Sequence, residues 1–301
     1  MVTMTWTVWE PSSCVPFGDQ QMERFATASS NWNNWKGRIR DGWGTARSLF
    51  SLAHPHLLRL RLLDSSHYRS YAAPLFQRYV QSLQPNIDVV DFSTALELLE
   101  IDPESVECSL PVLDGYVGLA DWDRVTLAAI ARSRSPYPAF EIGTAAGSTA
   151  ILLSLNINDT VFSLDLPRDD TRNQFALPRL STDDAVIAGR RRASLLEFRP
   201  RKNVVLLIGD SATFDFTPYY DRIGLFFIDG AHSYEYVRSD TLNAVRCCAE
   251  GGVIVWDDYG GSRDVSRFLN QLAGLGVKIY GVEGTKLAFS RDVERIRESI
   301  C

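Results

Sequence analysis

Acidic side chains stand where short apolar runs stop in the second half of this chain. Glu141 lies near the end of one run. Asp165 ends 160–165 (TVFSLD), Asp210 follows 203–208 (NVVLLI), Asp229 ends 223–229 (IGLFFID), and Asp257 and Asp258 close 252–257 (GVIVWD). One acid at a strand end is unremarkable. Five such strands in succession point to a site, because acids that serve only solubility could lie anywhere. His232, three residues past Asp229, is the histidine of this half, and an ordinary imidazole pKa of about 6.5 suits a general base at neutral pH. Asp229 and His232 are therefore the candidate catalytic pair. Asp229, Asp257 and Asp258 belong to strands expected to be neighbours. Three carboxylates meeting there repel one another unless a cation joins them, and hard oxygen ligands suit Mg2+ or Mn2+. The alternative is that one or two of them accept backbone N–H groups or pair with an arginine such as Arg263.

A glycine turn lies upstream of these acids. Residues 138–150 read as a buried strand, a tight turn bracketed by Gly143 and Gly147, and the first turn of a helix. Glycine there allows a sharp turn and leaves backbone bare beside a ligand. Ser148 and Thr149 suit the helix start. A helix N-terminus next to an acid suits a cofactor with an adenosyl head, although strand–glycine–helix turns also arise from packing alone. Asp165, 18 residues after Gly147, stands where a ribose diol is held. Nicotinamide cofactors use the same logic. Ala145, however, occupies the middle position of GTAAG where a pyrophosphate turn wants glycine, and the Glu141 carboxylate repels phosphate while it could orient a cationic sulfonium.

The elements that position these residues alternate. A helix over 122–131 leads into the opening strand, and helices over 183–198, 234–250 and 264–273 separate the later ones. Two short strands, 277–280 and 285–290, finish the pattern. Apolar strands joined by helices predict an α/β fold with a doubly wound, mainly parallel sheet. Ligands of such sheets sit outside the carboxyl ends of the strands. Residues 1–118 lack the alternation and read as a mostly helical N-terminal region, with helical spacing over 45–63, 70–83 and 92–99 and an ambiguous stretch over 108–117. The expected division is therefore 1–118, a substrate cover or homo-oligomer contact, and 119–301, the catalytic domain. His54 and His56 flank Pro55 without a nearby carboxylate and make weak metal ligands. Arg190, Arg191, Arg192, Arg199, Arg201 and Lys202 form a basic cluster of the kind that usually faces solvent.

Composition narrows the classes. The chain is 45% hydrophobic and 23% charged over 301 residues, the balance of a globular protein. Its formal charge of -6 argues against a nucleic-acid partner. No apolar run approaches the roughly 20 residues of a membrane span. The five cysteines form no CxxC pair and read as reduced thiols of a cytoplasmic protein.

Four segments resemble, in order, the motifs of class I S-adenosylmethionine-dependent methyltransferases. EIGTAAGST (141–149) resembles the first motif, nearest to the small-molecule O-methyltransferase branch. GDS (209–211), FIDGAHSYE (227–235) and GVIVWDDY (252–259) resemble later motifs of the bacterial type 24 family, and GTKLA (284–288) fits its last strand. The resemblance spans about 120–291. It implies a Rossmann-like sheet of seven strands, with the sixth and seventh antiparallel to each other. It also implies a first-motif cofactor contact set of Glu141, Gly143, Thr144, Ala145, Gly147 and Ser148, with Glu141, Gly143 and Gly147 around the methionine part. Asp165 would hold the ribose, Asp210 and Ser211 the adenine, and Asp229 would face the reaction centre. Relatives often carry His-Asp where this chain has Asp257 and Asp258, and some bind a divalent ion there. The expected function is O-methylation of a hydroxyl on a small metabolite, a sugar or a secondary-metabolite scaffold. The alternatives are a relative with other chemistry, hydroxylase-like or NAD-dependent, and a non-catalytic interaction protein.

Overall fold

The computed structural model describes residues 6–10, 13–16, 87–103, 106–111, 119–167, 175–180, 183, 196–197 and 200–300. By its contacts the chain divides into residues 1–14 with 81–301, and residues 15–80. This boundary differs from the expected one at 118. The tryptophans at 32, 35 and 43, the helices expected over 45–63 and 70–83, His54, His56 and the arginines 190–192 and 199 lie outside the described residues, as does most of the helix expected over 183–198.

Chain order in the larger unit runs β1 (Trp6–Glu10), β2 (Ser13–Pro16), β3 (Asp88–Val90), α1 (Phe92–Leu98), β4 (Cys108–Pro111), α2 (Asp121–Arg134), β5 (Ala139–Ile142), α3 (Ser148–Asn156), β6 (Val161–Asp165), β7 (Val204–Ile208), β8 (Ile223–Ile228), α4 (Tyr234–Cys247), β9 (Cys248–Trp256), α5 (Arg263–Gly274), β10 (Tyr280–Val282), β11 (Ala288–Ser290) and α6 (Val293–Ile300). The main sheet has the order β3-β10-β11-β9-β8-β5-β6-β7. Strands β5 to β9 pair in parallel, and β11 runs antiparallel to both β10 and β9. The seven expected strands are present, with the last two antiparallel. The eighth, β3, adds to the edge through β10; three residues cut from a polar stretch carry too little pattern to read. The expected mostly helical 1–118 also contains β1 and β4, which pair in parallel.

Burial explains the order. Every residue of β5 and β8 is buried, as central strands covered on both faces require. Because residues alternate across a sheet, Phe226 packs on one face, with Phe140 and Trp256, and Phe227 on the other, with Leu127 and Leu153. Phe140 and Phe226 stack at 5.0 Å. Helix starts follow local chemistry. Asp91 accepts the Thr94 N–H at 2.8 Å at the head of α1, and Asp123 accepts the Ala120 N–H at the head of α2, each satisfying a donor the helix leaves open. The helix expected over 234–250 stops at Cys247, because Cys248 already pairs with Ile223 of β8 and Gly251 takes a φ of 73°. Among the described residues, no helix is long and apolar enough to cross a membrane.

Candidate active site

The strand order reverses between β5 and β8, with β6 and β7 on one side and β9 on the other. That switch point is where an open α/β sheet leaves a crevice. A cleft with about 540 Å³ of empty space opens there, and its walls include Gly143, Asp165, Asp210, Ser211, His232 and Tyr236.

The glycine turn is built by packing as much as by ligand. Gly143 has φ 104°, and a Cβ there would lie 1.9 Å from the Asp229 carbonyl oxygen. The turn can cross the end of β8 only without a side chain. Gly147 (φ 91°) forms the left-handed cap of α3, and Ala145 also has a positive φ of 45°. Glu141 is not in the cleft wall, contrary to its expected place by the cofactor. It is fully buried in β5 opposite Ser163. Thr144 Oγ1 and Ser163 Oγ are 2.6 Å apart, and Ser163 donates to Glu141. Burial pushes the Glu141 carboxyl up to about 8, so the group holds the turn to β6 as a neutral acid. Thr144, Ala145, Gly147 and Ser148 also lie outside the wall. The first-motif segment thus shapes the turn and places Ile142 and Gly143 in the cleft.

Asp165 ends β6 in the wall. Its Oδ2 accepts the Ala145 N–H at 3.1 Å and its Oδ1 the Leu166 N–H at 2.8 Å, so the carboxylate is fixed. Asp210 and Ser211 line the neighbouring part of the cleft. Phe175, Arg179, Asp183 and Tyr236 also line the wall, and no motif singled them out. Phe175 and Arg179 come from the long connection after β6, where no periodicity marks them, Asp183 reads only as the start of the helix expected over 183–198, and Tyr236 reads as an ordinary first-turn helix residue.

His232 is not a free base. Its Nδ1 lies 2.7 Å from Asp183 Oδ1 and its Nε2 2.7 Å from Asp258 Oδ2. Burial alone would lower its pKa, but the hydrogen bonds and charges of Asp183 and Asp258 outweigh burial and hold it up to about 10. Both ring nitrogens therefore donate. Asp258 (φ 58°) also takes Lys286 Nζ at 2.8 Å on Oδ1. Burial opposes its ionisation, yet the His232 and Lys286 contacts hold it well below the usual carboxylate range. Asp257 is pushed up to about 7 by burial and by Asp258, and its Oδ1 is buried without a hydrogen-bond partner. Asp229 is raised well above its ordinary value by burial, then by Asp257 and Asp258.

The expected metal ligands therefore do gather, but not as a ligand set. Both Asp258 oxygens already face cationic side chains, and among the described residues no group of three or more His, Cys, Asp or Glu side chains is placed to hold a metal ion. A divalent ion would have to displace His232 or Lys286, so the set as it stands does not fit one.

A family model described as a methyltransferase domain matches residues 140–259. No curated protein matches the chain. Among solved structures, YcgJ from Bacillus subtilis is 17% identical over 51% of this chain and 58% of its own, with a TM-score of 0.32. CalS10, an amino pentose methyltransferase from Micromonospora echinaspora, is 16% identical over 45% of this chain and 49% of its own (TM-score 0.31). The O-methyltransferase NovP is 19% identical over 52% and 71% (TM-score 0.41). The chain thus spans between about half and three fifths of the length of the first two. Residues 140–259 thus match a methyltransferase-domain model, the kind of domain that the sequence motifs resemble.

Proposed function

We propose that this protein transfers a methyl group from S-adenosylmethionine to a hydroxyl of a small acceptor, a sugar or a secondary-metabolite scaffold. The observation that carries the reading is Asp165, fixed by two backbone N–H groups at the carboxyl end of β6 in the wall of the switch-point cleft. A carboxylate held there suits a vicinal diol. The remaining walls join the apolar Ile142, Leu164 and Phe175 with Asp210 and with the donors Arg179, His232 and Tyr236.

When bound, the cofactor supplies an electrophilic methyl group on a sulfonium. Asp165 would accept from the ribose hydroxyls, and Asp210 and Ser211 would meet the base. Asp229 and Asp257 end adjacent strands, and their mutual repulsion favours one shared proton over two charges. In this reading they take the acceptor's hydroxyl proton, a role for which a carboxyl near neutrality is suited. His232 serves as a fixed cation beside them, not as the base. Divalent-ion assistance forms no part of the reading, because the Asp258 oxygens are engaged. Positioning supplies most of the acceleration in such in-line displacements.

Calorimetry with S-adenosylhomocysteine and with NAD tests the cofactor. One site for the first and none for the second is expected, and the reverse would favour an oxidoreductase. Transfer of a labelled methyl group to a panel of phenols, catechols and sugars then tests the reaction. Alkali-stable ether products support methylation of a hydroxyl, and transfer only to carboxylate or amine acceptors run beside the panel would contradict it.

A further inference from the structure

Asp210 carries three donors from three parts of the chain. Its Oδ2 accepts the Tyr236 hydroxyl at 2.8 Å, from the first turn of α4, and the Ala176 N–H at 3.0 Å, from the connection after β6. Its Oδ1 accepts the Ala212 N–H at 3.0 Å. A carboxylate offers about four lone-pair positions, so these contacts fix the group and leave one position, on Oδ1. Tyr236 is 2% exposed, yet it lines the cleft beside Asp210. Burial and then the Asp210 contact push its hydroxyl well above the usual phenol range, so it stays a donor.

We propose that Tyr236 is a positioning residue for base recognition: it locks the Asp210 carboxylate so that its remaining oxygen position accepts an exocyclic amine and rejects a base bearing a carbonyl there. This rests on the reading of the cleft as an adenosyl site. A fixed group with only acceptor capacity gains a hydrogen bond from a 6-amino purine and faces lone-pair repulsion from a 6-oxo purine. Sites built to hydrogen-bond one group reject its mismatch strongly, because the buried partner is left unpaired. Without Tyr236, one of the two donors on Oδ2 is gone and the carboxylate can turn.

The test compares S-adenosylhomocysteine with S-inosylhomocysteine by calorimetry, in the wild type and in Tyr236→Phe, which keeps the ring. The wild type is expected to prefer the adenosine ligand by at least about tenfold. In Tyr236→Phe that preference should shrink by about three- to tenfold, the size of one ordinary hydrogen bond, with little change in affinity for the inosine ligand. Equal weakening toward both ligands would make Tyr236 merely structural and overturn the proposal. Absence of any preference in the wild type would overturn it too, and that result needs no folded variant. A wild type that binds neither ligand would instead remove the adenosyl reading itself.

Discussion

His232 shows how far neighbours can move a residue from what its type suggests. A lone histidine past a strand-end acid reads as a base, but Asp183 on one ring nitrogen and Asp258 on the other make it a cation. Asp258 was visible in the sequence. Asp183 was not, because it lies 49 positions away and reads only as the start of an expected helix. The His232 pKa rises on folding from 6.5 to about 10. Its contribution to stability is therefore complete below pH 6.5 and lost as pH rises through about 10. His232→Gln should lower the melting temperature at pH 6 by a few degrees, about 2–4 °C per kcal/mol for a domain of this size. The gap should close near pH 10.5. A gap independent of pH would mean that the imidazole is neutral in the folded protein. Asp183→Ala should reproduce most of this effect, and adding it to His232→Gln should cost little more, since the two act as one unit.

The glycine turn was legible as an element and misjudged in its cause. Strand, turn and helix stand where the sequence puts them, and β5 to β9 follow the apolar runs. What the runs could not tell was which partner required the glycine. The Asp229 carbonyl comes from a strand more than eighty residues later, and only the folded chain brings it to Gly143. The prediction separates close approach from backbone conformation. Gly284 has a similar φ of 82° with nothing within 4 Å of a Cβ, whereas a Cβ at Gly143 would meet Asp229 O at 1.9 Å. Gly284→Ala should cost about 1–2 kcal/mol, the left-handed penalty alone. Gly143→Ala should cost clearly more in denaturant unfolding, because the backbone must also move. Equal costs would show that the crossing of β5 and β8 is looser than described. The short edge strand β3 and the terminal helix α6 were not legible, since three and eight residues of mixed polarity carry little periodicity.

Across the molecule, stability should follow the sheet outward from its centre. Strands β5 and β8 are buried throughout, while β7 at the edge exposes Val205, Leu206 and Ile208 by 41%, 43% and 55%. Native-state hydrogen exchange should find the slowest amides in β8 and fast exchange at the outer side of β7. Uniform protection across the sheet would contradict this gradient. The cleft lies at the carboxyl ends of β5 and β6 and beside the segment after β8, with Asp165, Asp210 and His232 in its walls. The central claim is that the cleft holds an adenosyl cofactor through Asp165. Titration calorimetry of S-adenosylhomocysteine into the wild type and Asp165→Ala tests it directly. The account expects one site per chain, weakened at least about tenfold by loss of charge-assisted hydrogen bonds to the ribose. No binding to the wild type, or equal affinity in both proteins, would contradict it.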